Sequence, residues 1–336
     1  MPRIVVADPD SIRQAAAILR SGGVIAFPTE TVYGLGARTL DERAIEAVYE
    51  LKGRPADNPL IAHVVDPHQA QTVLADDAWN SRCDALASRF WPGPLTLVLR
   101  KSDRVGSRAT AGRSTIAVRS PRHSVARQLI DAVGEPISAP SANRSGRVSP
   151  TTAQHVQMEF ADVDAAHDLL ILDGGACDVG IESTVLDMTV QPPRVLRHGS
   201  VTLEMLQVTL GEVDAPIVTA QAHSPGTSAS HYAPRTPAEL IAGSEMKATL
   251  ARRAAAGVRC VVLCFDVAAA ASPHRAIVMP RSDERYAHDL YERLRDADAL
   301  GFDRIVIERP PGDSHVWRAV LDRLKRATCM SADAID

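Results

Sequence analysis

The stretch Phe27-Pro28-Thr29-Glu30-Thr31-Val32-Tyr33-Gly34-Leu35-Gly36, followed by Lys52-Gly53-Arg54-Pro55, constrains this chain more than any other feature. The apolar run 24–27 reads as a buried strand. It stops at a proline and opens into hydroxyls, a carboxylate and two glycines. Asp41 is placed as the N-cap of a helix over 41–52, with Ile45, Val48, Tyr49 and Leu51 as its apolar stripe. Gly53 ends that helix, so Lys52 and Arg54 stand at its exit. A strand, a polar turn and a helix with a cationic exit make a sensible nucleotide pocket, since ligands of α/β folds gather at the C-terminal ends of strands. Of the 37 Lys and Arg residues, only Lys52, Lys101, Lys247 and Lys325 are lysines. A lysine beside an arginine therefore runs against the composition, and the two cations do different work on a polyphosphate. A solvated helix end would accept the same pair.

The length of 336 residues suggests two domains, and 45% hydrophobic content supplies packed cores. A net charge of −4 gives no global footprint for nucleic acid or membrane. The first residues lack a signal-peptide core, and no apolar run reaches membrane-spanning length. Five scattered cysteines (Cys83, Cys177, Cys260, Cys264, Cys329) fit a reduced, cytoplasmic setting. Cys260 and Cys264 share an apolar run without a further Cys or His motif, so they read as core and no protein-built metal site is expected.

Across the first two hundred residues, strand-like runs (24–27, 60–65, 95–99, 115–118, 169–172, 184–188) mix with helical patterns (11–20, 41–52, 82–90, 122–132, 151–160). This mixture predicts an α/β domain with a mixed sheet. A second block from residue 239 reads helix 245–256, strand 258–265, strand 276–279, helix 284–298, strand 303–308, helix 314–327. That order predicts a small doubly wound unit, without a glycine-rich phosphate loop. Domain boundaries are expected at 1–208, a linker or lid at 209–238, and 239–336. The linker holds Ser224-Pro225-Gly226 and His231-Tyr232-Ala233-Pro234, and an aromatic set between prolines suits a cover over a cavity.

Between Arg100 and Arg147, Arg100, Lys101, Arg104, Arg108, Arg113, Arg119, Arg122, Arg127, Arg144 and Arg147 face only Asp103, Asp131 and Glu135. Such a bias is either a solvated basic face or a funnel for an anion. The loop Ser138-Ala139-Pro140-Ser141-Ala142-Asn143-Arg144-Ser145-Gly146 can be an anion nest or a polar turn. His63 in an apolar strand reads as a core histidine from its run alone. Arg119 ends its strand like a carboxylate clamp, and the 180–185 segment and Arg197 add polar groups at strand boundaries. No nucleophile–base motif is visible, so an enzyme here would work by positioning and charge stabilisation, as adenylate formation does.

In their order along the chain, several short patterns resemble the Sua5/YrdC/YwlC family of threonylcarbamoyl-AMP synthases in its long two-domain form. They are Pro28-Thr29-Glu30-Thr31-x-Tyr33-Gly34-Leu35, Lys52-x-Arg54-Pro55-x-x-Asn58-Pro59-Leu60, Trp91-Pro92-Gly93-x-Leu95-Thr96, Ser138-x-x-Ser141-Ala142-Asn143, Ser183-Thr184-Val185, Arg197-x-Gly199 and the linker signature. The resemblance implies a twisted mixed-sheet domain with a basic cavity and a smaller Rossmann-like domain. It implies synthesis of threonylcarbamoyl-AMP and pyrophosphate from ATP, L-threonine and bicarbonate, the first step toward t6A at tRNA position 37. Lys52 and Arg54 are implied as catalytic phosphate holders. Asn58, Thr115, Ser141, Asn143, Ser149, Arg197 and Tyr232 would complete the ATP site. Thr31, His63, Arg119, Ser138 and Ser183 would surround threonine, with Arg119 on its carboxylate. Mg²⁺ would be held mainly by the phosphates. A downstream tRNA threonylcarbamoyltransferase is the implied partner, with some capacity for double-stranded RNA. The alternatives are a carbamoyl-adenylate former of the hydrogenase-maturation type, for which the cysteine pairs and length are missing, and an RNA-binding module.

Overall fold

The computed structural model describes residues 2–162, 169–215 and 231–329. The chain divides into one unit of residues 1–145 and 149–227 and a second of residues 146–148 and 228–336. The first unit opens with β1 (Arg3–Val6), α1 (Pro9–Arg20), β2 (Ile25–Phe27), β3 (Gly34–Arg38), α2 (Glu42–Lys52), β4 (Ile61–His63), α3 (Pro67–Gln71) and α4 (Ser81–Phe90). It continues with β5 (Leu95–Arg100), α5 (Ser107–Thr110), β6 (Thr115–Arg119), α6 (Ser124–Val133), β7 (Ile137–Ser138), α7 (Ala153–Glu159), β8 (Leu170–Asp173), β9 (Thr184–Asp187), β10 (Arg194–Arg197) and α8 (Leu203–Leu210). Its strands form one mixed sheet in the order β1-β8-β2-β3-β7-β4-β6-β5-β9-β10.

The central strands of the sheet are packed on both faces, and each face carries its own apolar cluster. One face carries Leu35, Ala37, Ala62, Val118, Leu97 and Leu186 and packs with Ile45, Val48 and Leu51 of α2. The other carries Ile25, Phe27, Ile137 and Ala139 and packs with Leu19 of α1 and Leu129 and Ile130 of α6. Asp41 caps α2 by accepting from the Ala44 N–H at 3.1 Å, and Gly53 closes it in a left-handed conformation with φ 59°.

The segment after Phe27 departs from the turn-then-helix reading. Gly34–Arg38 is a strand that returns antiparallel to β2, with Phe27 opposite Gly34. The glycines that suggested a turn serve close packing instead. A Cβ on Gly36 would lie 2.7 Å from the Phe27 ring and 2.8 Å from the Ile137 side chain. Residues 28–33 are thus the connection of a hairpin.

The second unit contains β11 (Ala238–Ile241), α9 (Gly243–Ala255), β12 (Cys260–Cys264), β13 (Arg275–Val278), α10 (Asp283–Ala299), β14 (Arg304–Glu308) and α11 (His315–Ala327). Its four strands are all parallel, in the order β11-β14-β12-β13. Cys260 and Cys264 are buried in β12. Residues 146–148 join this unit although they lie far from it in sequence. Ala233 donates to the Gly146 carbonyl at 2.8 Å, Arg147 bridges Ala233, and Arg295 donates to the Val148 carbonyl.

Candidate active site

Three adjacent strands set out the first group of side chains. In β4 and β6, His63 pairs with Arg119 across a parallel ladder, so both side chains leave the same face. Val118 pairs with Leu97 of β5, which puts Thr96 on that face with Arg119. Thr96 Oγ1 lies 2.7 Å from Ser183 Oγ, and both residues are fully buried. Arg197 then holds Ser183 twice, with Nε 3.0 Å from its carbonyl and Nη2 3.1 Å from its hydroxyl. Val185 pairs with Thr96 and supplies an apolar neighbour.

The 28–33 connection folds over this group. Arg119 Nη1 donates to Thr31 Oγ1 at 2.9 Å, and Nη2 lies 2.8 Å from Glu30 Oε2. Thr29 Oγ1 bonds Thr31 Oγ1 at 2.9 Å and donates to the Val32 carbonyl at 2.6 Å. The Glu30 carbonyl accepts from the Val179 N–H at 2.8 Å. Arg119 and Glu30 are both buried, with side-chain exposures of 4% and 0%. Burial pushes the Glu30 carboxyl up, and the Arg119 guanidinium beside it more than reverses that, so it stays below its usual range. Arg119 Nε and Nη2 have no hydrogen-bond acceptor among the described residues, Nη2 meeting Glu30 as an ion pair only. Such a donor in a buried cluster calls for an acceptor.

His63 is buried against Phe27, ring edge to face at 6.0 Å, and its Nδ1 lies 3.1 Å from the Ile61 carbonyl. Burial, with Arg119 beside it, pushes its pKa down to about 3. The imidazole is therefore neutral across the physiological range.

A second group gathers where α2 ends. Lys52 is buried and its Nζ donates to the Ser141 and Asn143 carbonyls, each at 2.5 Å. Burial, then the neighbouring Arg54, pushes its pKa well down. Arg54 is half-buried and donates to the Asn58 carbonyl at 2.9 Å and its side-chain oxygen at 2.7 Å. Thr115 starts β6 on the same face as Arg119, four residues earlier, about 13 Å along an extended strand. Ser149 Oγ donates to Glu182 Oε1 at 2.7 Å, next to Ser183.

The fold thus brings Thr31, His63, Arg119 and Ser183 to one face, and Lys52, Arg54, Asn58, Ser141 and Asn143 to the helix exit. Ser138 stands apart. It pairs with Ala37 and Ala62, on the face opposite His63, and its hydroxyl donates to Thr39 at 3.1 Å. Tyr232 belongs to the second unit, where it stacks on Tyr291 at 5.5 Å with His231 edge-on at 4.1 Å. Ser224-Pro225-Gly226 lies outside the described residues. Sequence reasoning assigned no role to Glu30, Thr96 or Glu182. The signal at Glu30 was an acid set between two hydroxyls directly after a buried strand.

The basic bias of 100–147 resolves into partnerships. Arg100 meets Asp77, Arg108 meets Glu46 and Arg144 meets Asp162, while Arg127 donates to the Val65 carbonyl and Lys101 to that of Val105. Among the described residues, no cluster of His, Cys, Asp or Glu could hold a metal ion, and no helix is long and apolar enough to cross a membrane.

A family profile described as telomere recombination matches residues 17–199, and one described as the threonylcarbamoyl-AMP synthase C-terminal domain matches residues 201–329. The chain is 40% identical over 331 residues to a threonylcarbamoyl-AMP synthase of Pyrococcus abyssi, covering 94% of each. The chain belongs to the Sua5-type threonylcarbamoyl-AMP synthase family. The synthase of Bacillus subtilis is 39% identical over 335 residues, covering 95% of this chain and 93% of that one. A crystal structure of the P. abyssi Sua5 complexed with L-threonine matches with a TM-score of 0.88 and 36% identity, over 98% of this chain and 97% of the other. The ten-stranded mixed sheet and the four-stranded parallel sheet are the two folds expected of this family.

Proposed function

We propose that this chain joins L-threonine, bicarbonate and ATP into threonylcarbamoyl-AMP with release of pyrophosphate, for t6A synthesis. The observation that carries this reading is the buried Arg119, held by Glu30 and Thr31 with its Nε unpartnered among the described residues. A relative 36% identical in sequence is described with L-threonine bound, which supports an amino-acid carboxylate as the missing acceptor. Threonine would sit on the face shared by Thr31, His63, Arg119 and Ser183. Val185 would wall its methyl group.

The threonine amine adds to the bicarbonate carbon, water leaves, and a carbamate forms. A carbamate oxygen then attacks the α-phosphorus while the bond to the β-phosphoryl oxygen breaks. Nothing in that sequence needs a protein nucleophile; it needs two anions brought together and pyrophosphate charge stabilised. Arg54 and the third N–H of Lys52 are suited to the triphosphate, with Asn58, Thr115, Ser141, Asn143, Ser149 and Arg197 around the nucleotide. Neutral His63 can contact the amine without repelling it. Mg²⁺ would arrive on the phosphates of ATP. The mixed anhydride of a carbamate and AMP is labile, so an acyl-transfer enzyme acting on tRNA must consume it.

Incubation of the protein with ATP, L-threonine and bicarbonate should give threonylcarbamoyl-AMP by mass spectrometry and an equal amount of pyrophosphate. Product formation without threonine or without bicarbonate would reject the reading.

A further inference from the structure

We propose that Glu30 is a positioning residue for amino-acid binding, fixing the Arg119 fork so that its remaining N–H groups meet the substrate carboxylate. The inference rests on the reading of Arg119 as the carboxylate partner and deepens it. Glu30 is fully buried with its carboxylate turned to Arg119, the residue read as the carboxylate partner. A guanidinium is planar and carries five N–H donors, so two fixed contacts set the orientation of its whole plane. Glu30 Oε2 sits 2.8 Å from Nη2 as an ion pair, and Thr31 Oγ1 accepts from Nη1 at 2.9 Å. That leaves the N–H groups of Nε and Nη2 without a hydrogen-bond acceptor among the described residues, besides the second hydrogen of Nη1.

The loop that holds Glu30 is itself pinned. Its carbonyl accepts from Val179, and Thr29 ties back to Val32 and Thr31. Glu30 is therefore a fixed point rather than a floppy counter-ion. Its charge also matters before substrate arrives, because Arg119 would otherwise be a buried cation without an anion. Threonine then adds its carboxylate to a fork already aimed, and little ordering is left to do at binding.

The test is steady-state pyrophosphate release. Wild-type protein must first show dependence on ATP, threonine and bicarbonate; a failure there removes the function reading, independently of Glu30. With that in hand, Glu30→Gln should raise KM for threonine at least tenfold. Its KM for ATP and its kcat should stay within threefold. Glu30→Asp, which keeps the charge, should recover part of the loss. Because Glu30 acts through Arg119, adding Glu30→Gln to Arg119→Gln should worsen KM for threonine no further. Thermal melts accompany each variant, and if Glu30→Gln does not fold, Glu30→Asp must show the selective rise in threonine KM by itself. An unchanged threonine KM, equal rises for threonine and ATP, or penalties that multiply in the double variant would each overturn the proposal.

Discussion

Lys52 and Arg54 stand two residues apart and differ in what their loss removes. Lys52 is buried and holds the Ser141 and Asn143 carbonyls, whereas Arg54 is half-exposed and bonds within its own loop. Either alanine should cost about a hundredfold in pyrophosphate release, on the order of 3 kcal/mol of transition-state stabilisation. Only Lys52→Ala should also lower stability, by about 1–3 kcal/mol, since it orphans buried carbonyls. Activity together with denaturant midpoints separates the two. His63 gives a pH prediction. It takes a proton near its ordinary 6.5 in the unfolded chain but only at about 3 in the folded one. The unfolded state therefore binds more protons across that window. The stability from neutral His63 is complete above pH 6.5 and drains as pH falls toward 3. Between pH 6.5 and 4.5 the wild type should lose about 2 kcal/mol more than His63→Gln, read from urea midpoints. Val185 shares its face with Thr96, so Val185→Ala should narrow the preference for threonine over serine from about tenfold or more to a few-fold in competition assays.

Strands and helices with long apolar patterns were legible in the sequence. The helix over 41–52 and its cap follow from Asp41, the apolar stripe and Gly53. Hidden from it were short or glycine-rich strands. Gly34–Arg38 looks like a turn because its glycines are read for freedom, while the fold uses them for closeness to Phe27 and Ile137. The face of Ser138 was equally invisible, since a two-residue strand has no period to read. The pairing of Glu30 with Arg119 spans the sheet and leaves no local pattern. Gly199 makes the same point about closeness. A Cβ there would lie 2.4 Å from the Thr184 nitrogen and 2.7 Å from the Glu182 carbonyl oxygen. Gly199→Ala should push the start of β9, cost about 1–3 kcal/mol of stability, and weaken catalysis through Ser183. A thermal melt with normal threonine KM in that variant would show that the strand start does not set the site.

At the scale of the whole molecule, charge argues for a small-molecule enzyme. The net charge is −4, and much of the basic segment is spent on internal partners. Double-stranded RNA should therefore bind no tighter than about 10 μM at physiological salt, measured by fluorescence anisotropy.

Residues 146–148 carry a consequence for anyone cutting this chain. They count with the second fold, yet Ser145 before them and Ser149 after them count with the first. The polypeptide crosses over, returns, and crosses again later. No single scission yields two intact halves. Truncation before residue 228 would strip Gly146 and Val148 of the partners at Ala233 and Arg295, midway between Asn143 and Ser149. The gene can be split in one place; the folded object cannot.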